Sequence, residues 1–277
     1  AQENIKDITS LYLQEYEGIS NVADADAPMI NLFGKKHIYE NLCGLKFRIS
    51  PTAFFQTNIA ATEVLYGIVK EWAGEAGPET TVFDICCGTG TIGLSMAKGA
   101  KRLIGAEICE EAVEDAIENA KTNGVTNATF IAGKAESTML QHLGEAYGDT
   151  NVIGILDPPR AGMHGKILKA IRDCKSLKRL VYVSCNPPAF VQDAAKLCKA
   201  PSNAWSGVPF KPVKAVAVDM FPHTKHEELV VLFERNEEFI KKNVVADFKA
   251  ATAEVKDAEM TNAEQPTEVK DEPKASS

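Results

Sequence analysis

The sequence predicts an α/β fold in which a parallel sheet ends in a C-terminal antiparallel hairpin. From Phe55 to Arg235, short runs rich in β-branched residues alternate with helix-forming segments. Because these runs are apolar throughout, each is expected to be a strand covered by helices on both faces. Two later strands, 213–221 and 228–234, are joined by a link too short for a crossover helix, so this pair should be antiparallel. The parallel strands are expected at 81–85, 102–107, 128–132, 151–157 and 179–185.

Helices are expected before and between these strands. The segment 58–72 places its apolar residues on one side of a helix. Five alternating strand–helix units followed by an antiparallel hairpin are typical of the Rossmann-like sheet of class I methyltransferases rather than of a dehydrogenase sheet. The remaining helices are expected at 91–98, 110–122, 135–143, 163–174 and 188–198.

The two ends of the chain differ from this regular middle. Apolar residues in the segment 4–16 recur at roughly helical spacing, which predicts a short amphipathic helix. The segment 38–51 predicts two short strands joined by a turn. Residues 236–277 carry ten acidic and six basic side chains, and the last part has no aromatic residue. Such a composition predicts a largely disordered acidic tail.

Composition excludes several classes of protein. No run of about 18 apolar residues occurs, so no membrane span is expected, and the N-terminus does not resemble a secretory signal. Seven cysteines without a Cys-x-x-Cys pair indicate neither a disulfide framework nor a zinc knuckle. They predict a reducing compartment, the cytosol or the nucleus. The net charge of −8 argues against nucleic acid, but residues 160–180 hold seven bases and one acid, either an RNA-binding face or a solvated helix face.

A glycine-rich loop follows the first strand of the regular region. Gly88, Gly90 and Gly93 form G-x-G-x-x-G between a strand and a helix, where the backbone can closely approach a nucleotide. Glu107 ends the next strand and is placed to accept hydrogen bonds from ribose hydroxyls, in nicotinamide and S-adenosylmethionine enzymes alike. Asp84 precedes the glycines, where a carboxylate would repel a pyrophosphate and suit the cationic part of S-adenosylmethionine. The loop therefore favours methyl transfer over hydride transfer.

Further polar motifs stand at the ends of later strands, the edge where ligands bind in such sheets. The sequence DPPR at 157–160 is either a ligand-facing motif or a rigid turn. The sequence SCNP places Cys185 at this edge, where a nucleophile is favoured over a small core side chain. His223 and His226 lie beside acidic residues, but no third ligand stands at a metal spacing. A general-base carboxylate is therefore favoured there over a metal.

The ordered motifs FFQTN, DICCGTGTIG, DPPR, VSCNP and DMFPHTKHEE resemble those of the S-adenosylmethionine-dependent RNA uracil-5-methyltransferases, closest to the eukaryotic tRNA branch. The resemblance extends over about residues 34–235. In that family the cysteine of SCNP attacks uracil C6, which falls on Cys185. The catalytic base is the glutamate that falls on Glu228 rather than Glu227. The family's cofactor contacts fall on Gln56, Cys86, Thr91, Glu107 and Asp157.

The resemblance implies methyl transfer from S-adenosyl-L-methionine to C5 of a uridine in RNA, the T-loop uridine of tRNA, with no metal. It also implies a preceding RNA-binding module. Residues 1–50 are then a remnant of the intervening region, 51–235 the catalytic domain and 236–277 the tail. Ribosomal RNA as substrate, noncatalytic RNA binding or chaperone activity, and nicotinamide-dependent oxidation are the alternatives. Cys185 and Glu228 together argue against a noncatalytic role, because binding alone needs neither.

Overall fold

The computed structural model describes residues 8–15, 28–133, 149 and 151–239. The strands in these residues are β1 Ser10–Gln14, β2 Met29–Gly34, β3 Ile38–Leu42, β4 Leu45–Ile49, β5 Thr80–Ile85, β6 Arg102–Glu107, β7 Ala128–Ala132, β8 Asn151–Leu156, β9 Leu177–Ser184, β10 Phe210–Val218 and β11 Glu228–Arg235. The helices are α1 Ile59–Ala73, α2 Thr91–Met96, α3 Glu110–Thr122, α4 Gly165–Asp173 and α5 Pro187–Cys198.

A central sheet of seven strands has the order β10-β11-β9-β8-β5-β6-β7. The pairs formed among β5 to β9 are parallel, whereas β11 is antiparallel to both β9 and β10. The predicted Rossmann-like sheet with a C-terminal antiparallel hairpin is thus confirmed. The chain builds outward from β5 to β6 and β7, and then crosses to β8 on the other side of β5. Ligands bind at such a reversal of strand order, beyond the carboxyl ends of the strands.

Helices cover both faces of the sheet, which explains why its inner strands are apolar throughout. α1, α2 and α3 pack on one face, and α4 and α5 pack on the other. Successive side chains of a strand point to opposite faces, so each strand contributes to both layers of the core. In β8, Ile153 and Ile155 belong to the layer under α1, whereas Val152 and Leu156 belong to the layer under α4.

The predicted amphipathic helix at 4–16 is wrong in the part that the structure describes. There β1 pairs antiparallel with β2. Leu11 and Leu13 are both exposed, and between them the hydroxyl of Tyr12 donates to the carbonyl oxygen of Lys36 at 3.0 Å. Leu11 and Leu13 are two residues apart, as residues on one face of a strand are, and pairing with β2 decides for a strand here. The two strands expected within 38–51 are confirmed as β3 and β4.

Two other predictions fall on residues outside the described ranges. They are the helix expected at 135–143 and the disorder of the tail, of which the structure describes only 236–239. Elsewhere the predicted elements are present with bounds shifted by a few residues, as for α4, expected at 163–174. Among the described residues, no helix is both long enough and apolar enough to cross a membrane.

The basic segment 160–180 does not form one surface. Lys166 on α4 is exposed, but Arg172 on the same helix is completely buried. The Arg172 guanidinium donates to the carbonyl oxygens of Lys196 and Gly207, at 2.9 and 3.0 Å. It therefore joins the end of α5 to the following loop. Arg172 therefore belongs neither to an RNA-binding face nor to a solvated helix face, because a helix that packs on a sheet must direct one side of its residues inward.

Replacing Arg172 by leucine is expected to lower the free energy of unfolding by about 3 kcal/mol, because two part-buried carbonyl oxygens lose their donors. Urea denaturation measures the change. Lys166→Leu on the exposed side of the same helix is the control, with an expected change within about 0.5 kcal/mol. Equal stability of the two variants would mean that the Arg172 hydrogen bonds contribute nothing.

Candidate active site

The predicted site residues come together at the carboxyl edge of the parallel strands. Cys86 follows β5, Glu107 ends β6, Asp157 follows β8 and Cys185 follows β9. Because β11 runs antiparallel to these strands, its first residue, Glu228, stands at the same edge. This edge lies at the reversal of strand order, where a ligand crevice is expected.

The register between β9 and β11 sets Cys185 across from Glu228. Ser184 pairs with Leu229 in an antiparallel ladder. Continuing that register by one residue brings Cys185 opposite Glu228. The two residues lie one step beyond the last pair of the ladder, and the Glu228 charge raises the pKa of the Cys185 thiol, so the two side chains lie near each other.

Alternation along the strands directs these side chains to one face of the sheet. Val183 and Val230, each two residues from the cysteine or the glutamate, are buried in the layer under α1. Ile155, two residues before Asp157, belongs to the same layer. Since side chains two residues apart share a face, the cysteine and both carboxyls point toward the side that α1 covers. Gln56 is buried just before α1.

Burial raises the pKa values of two carboxyls at this edge, Glu228 and Asp157, and nearby negative charges add to the effect at Asp157. Burial raises the pKa of Glu228 to about 7. The pKa of Asp157 lies well above its ordinary value, first through burial and then through the nearby charges of Glu228, Asp84 and Glu107. A carboxyl with a pKa near 7 exchanges protons efficiently at neutral pH, as a general base must.

The thiol of Cys185 is not activated by its surroundings as they stand. Its pKa is raised first by burial and then by the charges of Glu228 and Asp157, whereas Arg160 lowers it. The side-chain amide of Asn186 donates to the carbonyl oxygen of Arg160 at 2.8 Å and so holds the DPPR turn beside the cysteine. A cationic ligand at this edge would offset the carboxylates and favour the thiolate.

The glycine loop has the tight backbone that the sequence predicts. Gly88 and Gly90 have φ angles of 53° and 81°, in the left-handed region that favours glycine. Glu107 holds this loop: one carboxylate oxygen accepts from the Gly88 N–H at 3.0 Å, and the other accepts from the amides of Ile108 and Cys109. Each oxygen has two lone pairs, so Glu107 retains acceptor capacity for a ligand hydroxyl.

Asp84 does not lie open at the site as the sequence suggests. Its side chain is completely buried, and one oxygen accepts from the Gly93 N–H at 2.8 Å. Burial raises its pKa to about 7. The other oxygen has no hydrogen-bond partner. Asp84 therefore stabilises the first turn of α2 through the Gly93 N–H, a role that its position before the glycines does not reveal.

Two other predicted cofactor residues have partners within the protein. The hydroxyl of Thr91 shares a hydrogen bond of 2.8 Å with the hydroxyl of Tyr66 on α1, and the Cys86 sulfur lies 4.0 Å from the sulfur of Met163. No sequence motif points to Tyr66. Its place among the buried residues of α1 is the one feature that indicates a contact with the rest of the fold. The Thr91–Tyr66 bond joins the glycine-loop helix to α1.

The neighbouring acids and histidines of the hairpin link differ in burial. Glu228 is buried, whereas Glu227, His223 and His226 are exposed. Adjacent residues at the start of a strand point to opposite sides, so one glutamate of the pair faces the site. Within the described residues, no group of histidine, cysteine and acidic side chains is arranged to hold a metal ion.

The acidic side chains at this edge suit a cationic ligand. In the described part of the chain, none of the ion pairs involves Glu107, Asp157 or Glu228. Carboxyls with raised pKa values gain most from a positive charge nearby. The donor set therefore fits a ligand that carries ribose hydroxyls and a positive charge, as S-adenosylmethionine does.

Comparison with known proteins gives the same family for most of the chain. The sequence pattern of the tRNA (Uracil-5-)-methyltransferase family matches residues 34–236. The tRNA (uracil-5-)-methyltransferase homolog A of Homo sapiens is 49% identical over 231 residues, which cover 83% of this chain and 36% of that protein. Homolog B of Mus musculus is 45% identical over 234 residues, covering 83% and 47%.

A solved structure has the same fold and a similar sequence. The tRNA (uracil-54, C5)-methyltransferase of Pyrococcus abyssi, in complex with S-adenosyl-L-homocysteine, superposes with a TM-score of 0.64 at 31% identity, covering 83% of this chain and 51% of that one. The chain thus spans about a third to a half of the length of these relatives. The matched region includes every candidate site residue from Gln56 to Glu228. The chain belongs to the tRNA (uracil-5-)-methyltransferase family.

Proposed function

We propose that this chain is the catalytic part of an enzyme that methylates C5 of a uridine in RNA, with S-adenosyl-L-methionine as the methyl donor. The observation that carries the proposal is the strand register that sets Cys185 across from Glu228 at the ligand-binding edge. A thiol and a carboxyl that lie near each other at one edge of the sheet match the two tasks of this reaction. Membership of the family supports the reaction class.

The reaction needs a nucleophile first, because C5 of uracil is too weakly nucleophilic to take a methyl group directly. The Cys185 thiolate adds to C6, and the electron pair displaced from the C5–C6 bond makes C5 enolate-like. C5 then takes the methyl group. The adduct still carries the C5 proton, which Glu228 removes so that the double bond re-forms and the thiolate leaves C6.

We infer that Gln56, Cys86, Thr91, Glu107 and Asp157 hold the cofactor. When bound, the cofactor supplies an electrophilic methyl group and a positive charge. Glu107 offers its one remaining lone pair, on the oxygen that accepts from Gly88, to a ribose hydroxyl, and the buried amide of Gln56 adds donors and an acceptor. The bond from Thr91 to Tyr66 fixes the start of α2 against α1. These residues lie at or near the ends of five elements, α1, β5, α2, β6 and β8, so the cofactor would link both halves of the sheet.

S-adenosyl-L-homocysteine is expected to raise the melting temperature of the full-length protein, and NADH is not. A ligand at about 100 times its dissociation constant stabilises the folded state by about 2.7 kcal/mol. Differential scanning fluorimetry measures the shift. Glu107→Ala, which removes the predicted ribose acceptor, should reduce the shift, whereas Glu227→Ala should not. Stabilisation by NADH alone would contradict a methyl-transfer site.

We infer that the RNA substrate is a tRNA and that the target is its T-loop uridine. The relatives that match this chain are named for tRNA, and that of Pyrococcus abyssi for uracil 54. A uridine within folded RNA must leave its stack to reach a site at the edge of a sheet. The test is methylation of total RNA by the full-length protein followed by nucleoside mapping. A methylated ribosomal uridine instead would favour the ribosomal RNA alternative.

The division of the chain and its location in the cell are also proposals. We infer a remnant of a preceding region at 1–50, a catalytic domain at 51–235 and a tail at 236–277. All seven cysteines are free thiols, which supports a reducing compartment such as the cytosol or nucleus.

A further inference from the structure

Two asparagines on α3 pair with the backbone of β4 as a neighbouring strand would. Asn123 accepts from the N–H of Lys46 at 2.9 Å and donates to its carbonyl oxygen at 2.8 Å. Asn119 does the same with Arg48, at 2.6 and 3.2 Å. Four residues rise about 6.0 Å along a helix, and two residues rise about 6.6 Å along a strand. Every fourth helical residue therefore meets every second strand residue.

Asp115 extends this set of side chains by one more helical turn. One carboxylate oxygen accepts from the N–H of Ser50 and the other from Nε of Arg48, both at 2.6 Å. Asp115 and Asn119 are completely buried. The hairpin β3–β4 is thus docked on α3 through hydrogen bonds that satisfy the edge of β4. We call Asp115, Asn119 and Asn123 the α3 ladder.

Asn119 differs from the other members of the α3 ladder in what else it contacts. Its amide nitrogen also donates to the carbonyl oxygen of Thr89 at 3.1 Å. Thr89 is buried, and it lies between Gly88 and Gly90, the two glycines with left-handed φ angles in the glycine loop, which is also called the cofactor loop below. Asn123 makes its additional bond to the carbonyl oxygen of Asn119 instead, at 2.8 Å. One amide therefore joins the docked hairpin to the loop.

Part of the loop's shape comes from its own backbone: the Gly90 N–H donates to the Cys87 carbonyl oxygen at 2.8 Å, and the Cys87 N–H donates to the Ala106 carbonyl oxygen at 3.1 Å. Gly88 and Gly90 have no side chains, and the buried hydroxyl of Thr89 has no hydrogen-bond partner. Side chains from outside the loop hold its backbone at two further points, Glu107 at the Gly88 N–H and Asn119 at the Thr89 carbonyl. Removing either contact would allow the flexible glycine backbone to leave the conformation that approaches a ligand.

We propose that Asn119 is a positioning residue for the cofactor loop and couples the shape of that loop to the docking of the hairpin β3–β4. The inference rests on the proposed function, since it concerns the binding of an S-adenosyl cofactor. The coupling is reciprocal. If the cofactor binds more tightly when Asn119 holds the loop, then bound cofactor also stabilises the docking of the hairpin β3–β4 on α3. Asn119 acts through the loop backbone and does not touch the reacting atoms.

The test compares Asn119→Ala with Asn123→Ala in the full-length protein. Each variant removes a two-bond contact with β4, but only the first also frees the Thr89 carbonyl. Titration calorimetry with S-adenosyl-L-homocysteine should give a dissociation constant about tenfold higher for Asn119→Ala, and within about twofold of the unaltered protein for Asn123→Ala. Melting temperatures record the loss of hairpin docking in both.

Each outcome bears on a different claim. If the unaltered protein does not bind S-adenosyl-L-homocysteine, the proposed function fails. If the unaltered protein binds and the two variants bind equally well, the role of Asn119 is refuted and the proposed function stands. Should Asn119→Ala not fold, hydrogen exchange on the unaltered protein decides. S-adenosyl-L-homocysteine should slow hydrogen exchange at the backbone amide of Arg48 in β4 more than at the backbone amides of β10. Equal slowing at both places would refute the coupling.

Discussion

Replacing Cys185 by alanine is expected to abolish both methyl transfer and the covalent RNA adduct. Without the thiolate, C5 of the target uracil is never activated, so the rate should fall by at least about 10⁴-fold. Transfer of labelled methyl groups to RNA by the full-length protein measures the loss. Denaturing electrophoresis measures the adduct. Any adduct formed by Cys185→Ala would assign the nucleophile elsewhere.

Glu228→Gln is expected to behave differently, because it leaves attack and methyl transfer possible and removes only the final base. A methylated RNA–protein adduct should accumulate and survive denaturation. The structure strengthens this expectation, since the Glu228 charge raises the pKa of the Cys185 thiol and the neutral amide does not. Glu227→Gln, at an exposed neighbour, is the matched control and should turn over almost normally. An adduct trapped by Glu227→Gln instead would reverse the assignment.

Glu228→Gln is also expected to increase the stability of the protein above neutral pH. The Glu228 pKa is raised from 4.5 to about 7 on folding, so the folded state holds the proton more tightly than the unfolded state. The stabilisation that protonated Glu228 gives to the folded state is fully present below pH 4.5 and is lost as the pH rises through about 7. A shift of this size corresponds to about 3 kcal/mol as an upper bound.

Urea denaturation at pH 5 and pH 8 tests this second expectation. The unaltered protein should lose more stability between the two values than Glu228→Gln does, by up to about 3 kcal/mol. Asp84→Asn should show a similar difference, since burial raises that pKa to about 7 as well. Glu227→Gln should follow the unaltered protein. Identical pH dependence in all four proteins would mean that Glu228 is ionised without penalty in the folded state.

The sequence predicts those parts of the fold that depend on local patterns. The inner strands and the helices between them follow from apolar runs and helix-forming segments, and the short link at 222–227 predicts the antiparallel hairpin. The segment around Leu11 is ambiguous in the same terms, because its partner β2 is distant in sequence. Pairing between distant segments is a tertiary property, and it overrides a local preference.

The candidate site is predicted less completely than the fold. Family motifs point to Cys185 and Glu228, but the register that sets one across from the other requires the paired strands. The sequence predicts Asp84 beside the cationic part of a ligand and Arg172 on a surface, either RNA-binding or solvated, yet both are buried, because local patterns do not show which side of an element faces the core. The link from Asn119 to the cofactor loop joins residues thirty positions apart, and no local pattern indicates it.

The carboxyls at the strand edge lower the stability of the folded protein, although they are proposed to serve catalysis. Substitutions that remove a buried acid such as Glu228, Asp84 or Asp157 relieve an unfavourable charge, so each should make the protein harder to unfold at alkaline pH. A library of variants screened only for survival of heating would therefore be enriched in neutral residues at this edge. Under the proposed mechanism, survivors that had lost Glu228 or Asp157 would be inactive, because the property that the screen rewards is gained by discarding groups proposed to serve methylation.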